Sequence, residues 1–173
     1  MRQISMSRTA FEAVLHLLRC SGKNLLPKAE RGVDMFLRGR DELCQSGWCE
    51  LDFDGSLMPE PDFMRMIYAL AHPSAAVRLE QTGKTQWVLY TPVELLFVTQ
   101  TGESVCLERN SKKTLLPWMR ESVMSACDGC LTTRRDGTQR RTELSGSDPK
   151  RAEALAGHLC LFYGKEENAC PIL

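Results

Sequence analysis

Two carboxylates stand close together in the stretch CELDFDGSL, where Asp52 and Asp54 flank Phe53 and are followed by Gly55. Carboxylates serve as nucleophiles and as magnesium ligands in phosphoryl chemistry, so this pair is the first candidate for a catalytic site. Asp-Gly is also a favoured pair at the tip of a β-hairpin. The stretch therefore has an enzymatic and a structural interpretation. A calcium loop does not fit, because the ligand series stops after Asp54 and the glycine comes too early.

The hexad DFDGSL, from Asp52 to Leu57, resembles the DxDGT-Leu nucleophile motif of haloacid-dehalogenase-type phosphatases. The resemblance implies that Asp52 attacks phosphorus, that Asp54 is the acid–base, and that Mg²⁺ holds the charges. Such an enzyme also needs a buried strand before the motif and an acidic pair after a later strand. Here the preceding strand is short and contains Glu50, and no such pair follows. A type I′ turn at Asp54-Gly55 is therefore favoured, with a Mg²⁺-dependent phosphatase as the alternative.

A second candidate site is the CxxC formed by Cys127 and Cys130. A structural zinc ion would need two more ligands at comparable spacing, and the sequence has no second CxxC and no HxxxH. A thioredoxin-like redox site would place the motif at the start of a helix, whereas here it follows a predicted helix. We therefore expect no metal and no cofactor, and Cys127 and Cys130 are the low-ranking candidates for metal ligands.

A third candidate is a hairpin whose predicted two-residue turn is Asp136-Gly137. Its four arginines are Arg134, Arg135, Arg140 and Arg141. With this turn, Arg135 and Arg140 fall on one face of the hairpin, while Arg134 and Arg141 fall on the other. Charges divided in this way are typical of a solvated sheet edge that resists aggregation. A nucleic-acid-binding wing is the alternative interpretation.

The elements that would position these residues predict an α+β fold, in which an antiparallel meander and a hairpin pack against about five helices. Helices are predicted over about 10–19, 28–45, 61–71 and 116–127 and from about 148, with a Thr9–Glu12 capping box opening the first. Strands are predicted over 75–81, 85–91, 94–100 and 104–109. We predict one domain, 1–173, with a helical part at about 1–73, the sheet and C-terminal helices at about 74–165, and a loose tail at 166–173.

The bulk composition excludes several classes of partner. The 173 residues include 22 basic and 22 acidic side chains, so no global field attracts nucleic acid or an anionic membrane. No apolar run reaches the ~20 residues that span a bilayer. The first apolar stretch contains Glu12 and His16, which argues against a signal peptide. We therefore expect a cytoplasmic protein that does not bind membranes, and a homo-oligomer is compatible with this composition.

The cysteines and the chain end complete the candidate sites. The chain has eight cysteines, which we expect to be reduced because the chain is large and has no export signal. The final residues, Cys170 to Leu173, have the form CPIL of a prenylation box. No polybasic stretch precedes them, so an ordinary chain end is favoured over a prenylated one.

The order of segments resembles that of EspG-like proteins associated with bacterial type VII (ESX) secretion. The segments that carry this resemblance are LHLLRCSGKNLLP, the helix end DELCQSG, the stretch CELDFDGSLMPEPDFMRMIYALAHP and the strand meander that follows. The resemblance lies in layout and hydrophobic rhythm, most clearly from about Leu25 to Val98. It implies a non-enzymatic protein of the bacterial cytoplasm that binds another protein, as an adaptor or chaperone, such as a helical secretion substrate.

Overall fold

The computed structural model describes residues 3–18, 25–28, 32–125, 128–135 and 137–145. This part of the chain is α+β, as predicted, with four α-helices, a seven-stranded sheet and a two-stranded sheet. The elements are β1 (Gln3–Ser7), α1 (Arg8–Leu17), α2 (Val33–Gln45), β2 (Cys49–Leu51), β3 (Leu57–Pro59), α3 (Pro61–Ala71), β4 (Ala75–Gln81), β5 (Lys84–Tyr90), β6 (Leu95–Thr101), β7 (Ser104–Asn110), α4 (Leu115–Ser125), β8 (Asp128–Arg135) and β9 (Thr138–Ser145). The described helices number four where we predicted about five. The fifth predicted helix, the loose tail and the CPIL end lie outside the described residues.

The large sheet is antiparallel throughout, with the strand order β1-β7-β6-β5-β4-β8-β9. The predicted meander is confirmed as β4 to β7, and the predicted hairpin is confirmed as β8 and β9. The hairpin extends the sheet, because β8 pairs with β4. Strand β1 was not predicted; Ile4 and Met6 are buried and alternate with exposed Gln3 and Ser5, which is typical of a half-covered strand.

Both faces of the central strands are buried, and each face has its own apolar core. On one face, α1, α2 and α3 pack against side chains that include Trp87, Leu89 and Leu96. On the other face, α4 packs against side chains that include Val88 and Leu95. Leu95 and Leu96 are adjacent in β6 and fully buried on opposite faces, so β6 is a central strand covered on both sides.

In the described fold, helices α1 and α2 approach each other closely at a glycine of α2. Gly39 of α2 lies so near α1 that a Cβ atom there would stand 2.4 Å from the Thr9 carbonyl oxygen. Three residues further along α2, the Glu42 carboxylate accepts hydrogen bonds from the backbone N–H of Ser7, at 3.0 Å, and from its hydroxyl. Ser7 caps α1 by accepting from the N–H of Ala10, so the predicted capping box at Thr9 is wrong.

Candidate functional site

The stretch that contains Asp52 and Asp54 forms a small antiparallel hairpin, β2–β3, outside the large sheet. Leu51 pairs with Leu57, so the connecting loop contains the five residues 52–56. The Asp52 N–H donates to the Ser56 carbonyl at 2.9 Å, and the Gly55 N–H donates to the Asp52 carbonyl at 2.8 Å. The predicted hairpin is confirmed. Its predicted type I′ turn is wrong, because Gly55 alone in this loop has a positive φ, +82°.

The two carboxylates are exposed and bonded to their own loop. An oxygen of Asp52 accepts from the N–H of Phe53 at 2.7 Å, and an oxygen of Asp54 accepts from the N–H of Ser56 at 2.8 Å. The backbone hydrogen bond from Ser56 lowers the pKa of Asp54 below its usual value. The hairpin places these carboxylates at an exposed antiparallel turn, as the structural interpretation expects, and not at the end of a buried parallel strand.

Large apolar side chains are exposed on the same hairpin and on the helix that follows it. Phe53, at the tip, is 99% exposed, and Met58 in β3 is 57% exposed. Leu51 is about half exposed, as is Met64 in α3, and Tyr68 one turn later is 64% exposed. Leu51 pairs with Leu57 and Glu50 pairs with Met58, so Leu51 and Met58 project from opposite faces of the hairpin. We call the four residues Phe53, Met58, Met64 and Tyr68 the hairpin–α3 surface. A grouping of this kind on consecutive elements is typical of an interaction site.

The base of this surface, where the hairpin meets α3, is held by ring packing and by hydrogen bonds. The ring centroids of Trp48, at the start of the hairpin, and Phe63, in α3, are 6.3 Å apart, and Phe63 is fully buried. The N–H of Glu60 donates to the Trp48 carbonyl at 2.9 Å, and the Glu60 carboxylate accepts from the N–H of Phe63 at 3.3 Å. Pro61 occupies the first turn of α3, where a missing N–H costs nothing. The exposed side chains therefore project from a packed and capped junction.

Cys49, the first residue of β2, lies in the core under the hairpin. Burial, and to a smaller extent the nearby Cys44 thiol, raises the pKa of Cys49 from 9.0 to about 11. At neutral pH its thiol is therefore protonated and a poor nucleophile. Cys49 acts as an apolar contact that holds the hairpin against the core.

The raised pKa of Cys49 predicts a loss of stability in alkali. Between pH 9 and about 11 the unfolded chain releases the thiol proton while the folded chain keeps it, so the free energy of unfolding falls as the pH rises. We expect a fall of about 2 kcal/mol across this window in the wild type, beyond that of Cys49→Ala. Urea unfolding of both proteins at pH 9, 10 and 11 measures the difference, and parallel stability curves would contradict it.

The hairpin arginines lie as the predicted register requires. Arg135 pairs with Thr138 and Arg134 with Gln139, while Arg140 and Arg141 pair with Thr133 and Thr132. Arg135 and Arg140 therefore share one face, and Arg134 and Arg141 share the other, so the division of charge is confirmed. The arrangement does not concentrate the four charges on one surface.

The CxxC motif is described only in part. Cys130 is buried in β8, where its Sγ lies 3.8 Å from the hydroxyl oxygen of Thr132, and Cys127 lies outside the described residues. Within the described ranges, no group of three or more His, Cys, Asp or Glu side chains is placed to hold a metal ion. The described geometry gives Cys130 a packing role in the strand.

The exposed apolar residues were missed by sequence reasoning. The alternation Cys49-Leu51-Phe53 is typical of one buried face of a strand, but of these three only Cys49 is buried, and exposure increases along the hairpin to Phe53. Two aspartates and a glycine around Phe53 predict a turn, but they do not predict whether another element covers the aromatic ring.

Comparisons with known proteins supply no family for this chain. Neither a scan against protein-family models nor a search of curated proteins returns a match. In the part of the chain that the structure describes, no helix has both the length and the apolar character needed to cross a bilayer. The functional argument therefore begins from the hairpin–α3 surface itself.

Proposed function

We propose that the protein is a non-enzymatic protein-binding module and that the hairpin–α3 surface is its binding site. The observation that carries the proposal is the 99% exposure of Phe53 at the tip of a short, fixed hairpin. Burial of a phenylalanine side chain against a partner contributes about 1.5–3 kcal/mol. Exposed apolar groups gather at surfaces that bind other proteins, where aromatic residues and methionine are enriched. Phe53, Met58, Met64 and Tyr68 are residues of this kind.

The base of the surface supports the same role. Phe63 and Trp48 hold α3 and the hairpin together through a packed ring contact, so little order has to be imposed on this base when a partner binds. The side chain of Phe53 extends beyond this base and can enter a pocket of the partner. A residue in such a position is a typical hot spot, where truncation costs 2 kcal/mol or more, in order of magnitude about thirtyfold in affinity.

The resemblance in layout to EspG-like proteins extends the proposal to a class of role. On this extension, the protein is an adaptor or chaperone of bacterial type VII secretion, and its partner is a secreted protein held in the cytoplasm. The support for the extension is the order of segments from about Leu25 to Val98 together with an exposed apolar surface inside that stretch. The binding proposal itself stands on the surface and does not depend on the extension.

Phe53→Asp is expected to abolish partner binding without unfolding the protein. The side chain touches solvent in the free protein, so the substitution removes apolar contact area only in the complex. The measurement is affinity capture from cells of the source organism with wild-type and variant bait, followed by quantitative mass spectrometry. Proteins that bind the surface should be recovered at least tenfold less with Phe53→Asp.

A matched control is available in the connection between β5 and β6. Val93 is 84% exposed and lies outside the hairpin–α3 surface, so Val93→Asp makes a comparable apolar-to-acidic change elsewhere. Val93→Asp should recover the same partners as the wild type, and thermal melts should show all three baits folded. If every protein captured by the wild type is captured equally by Phe53→Asp, the surface is not the binding site and the proposal fails.

A further inference from the structure

The hairpin–α3 surface is acidic as well as apolar. Residues 50–68, which span this surface, include five acidic side chains and one basic side chain, Arg65. Glu50, Asp52 and Asp54 are exposed on the hairpin, and the last two stand on either side of Phe53. The most exposed apolar residue of the surface is therefore framed by two carboxylates.

These three carboxylates are not paired with a basic side chain in the described part of the chain. Asp52 and Asp54 accept hydrogen bonds from backbone N–H groups of their own loop, which orient the carboxylates but do not neutralise them. The bond from Ser56 lowers the pKa of Asp54, so this group is ionised at neutral pH.

The remaining acidic residues of the segment are already engaged. The Glu60 carboxylate caps α3 at the N–H of Phe63, and Asp62 lies 3.7 Å from the guanidinium of Arg65 one turn along the helix. The unneutralised charge is thus concentrated at the hairpin. Two of these charges, on Asp52 and Asp54, flank in the chain the side chain of Phe53, which the proposed function places in the interface.

We infer that the partner presents a basic, apolar segment, in which lysine or arginine stands beside the large apolar side chain that meets Phe53. The inference rests on the proposed function of this surface. Burial of Phe53 brings the carboxylates of Asp52 and Asp54 into the interface, where a carboxylate without a cationic partner opposes association. Lysine or arginine on the partner removes this penalty and accelerates encounter. Neutral and acidic apolar segments are rejected by the same charges.

The first test is selection from a displayed library of random 16-residue peptides on the immobilised full-length protein. Peptides that also bind Phe53→Asp are removed by counter-selection, so that the retained pool depends on this surface. We expect the retained peptides to carry a net positive charge, with lysine or arginine next to leucine, isoleucine, phenylalanine or tryptophan. The library before selection gives the reference composition.

Charge removal on the hairpin tests the same inference by affinity. The triple variant Glu50→Gln/Asp52→Asn/Asp54→Asn keeps side chains that accept the loop hydrogen bonds and removes three negative charges. Fluorescence anisotropy with a retained peptide should show affinity weakened about tenfold or more in this variant. The wild-type affinity should fall as sodium chloride rises from about 50 to about 500 mM, since ions screen exposed charges.

The matched control removes three exposed carboxylates elsewhere, as Glu103→Gln/Glu121→Gln/Glu143→Gln. It changes the net charge equally and should alter peptide affinity less than twofold. Retained peptides that are neutral or acidic, or an equal loss in the two triple variants, overturn the inference of a basic segment while the binding surface stands. A library that yields no peptide dependent on Phe53 overturns the surface and the inference together.

Discussion

Gly39→Ala is expected to destabilise the fold by about 2–3 kcal/mol, although the same change at an exposed helix position stabilises by up to about 1 kcal/mol. A Cβ at Gly39 would stand 2.4 Å from the Thr9 carbonyl oxygen and 2.7 Å from the Cβ of Ala13. The first of these is a backbone atom inside α1, so a rotamer change cannot relieve the overlap. The helices must separate, and buried contacts on both sides are lost.

Urea unfolding followed by far-ultraviolet circular dichroism measures this loss. Gly32→Ala is the control, because Gly32 has an extended φ of −138° and a Cβ there would meet its nearest neighbour, the Cβ of Met35, at 3.6 Å. That substitution should change the free energy of unfolding by less than about 1 kcal/mol. If Gly39→Ala is as stable as Gly32→Ala, the close approach of α1 and α2 is not a feature of the folded protein.

The same separation would disturb the bond between the two helices one turn away. Glu42 lies on α2 three residues after Gly39 and accepts from both the N–H and the hydroxyl of Ser7. A shift of α2 would lengthen these bonds and leave polar groups at the start of α1 without their partner. Gly39 therefore allows α1 and α2 to approach closely because it has no side chain, and Glu42 stabilises the same contact as a hydrogen-bond acceptor.

Local patterns predicted most of the elements of this fold. Pro61, the apolar stripe of α3 and the stop at His72-Pro73 defined that helix to the residue, because all three signals lie within the segment itself. Short breaks between β-rich runs predicted the meander for the same reason. Non-local partners were not predictable in this way. Strand β1 is stabilised by β7, about a hundred residues later, and the pairing of β8 with β4 also joins distant segments.

The location of the candidate site in the sequence was predictable, but its exposed apolar side chains were not. The carboxylates of Asp52 and Asp54, followed by a glycine, indicated either a catalytic site or a turn, and the hairpin was predicted correctly. Whether Phe53 is exposed depends on whether another element packs over the hairpin, and the residues around Phe53 do not determine this. The same limit affected the cap of α1, where Ser7 is held by Glu42, which is 35 residues away. In both places the decisive neighbour is set by tertiary packing.

Phe63→Ala is expected to lower the free energy of unfolding by about 3–5 kcal/mol, which is a large part of the stability of a typical domain. Phe63 is fully buried between α3 and the core, and its ring contacts that of Trp48 at the foot of the hairpin. Removal of the ring leaves a cavity and loosens the junction from which the hairpin–α3 surface projects. Urea unfolding measures the loss, and Phe63→Leu should cost less because most of the volume is retained.

The adjacent residue separates stability from binding. Met64 follows Phe63 in α3 but is about half exposed, so Met64→Ala should change the free energy of unfolding by less than about 1 kcal/mol. Because Met64 belongs to the proposed contact area, its truncation should still weaken capture of the partner. Phe63→Ala should weaken capture only because it loosens or unfolds the junction between the hairpin and α3. Binding by Phe63→Ala should therefore return at lower temperature, and Phe63→Leu should bind the partner better than Phe63→Ala does. An unstable Met64→Ala protein would show that this face of α3 supports the fold. A Met64→Ala protein that binds its partner as well as the wild type does would show that this face takes no part in the interface.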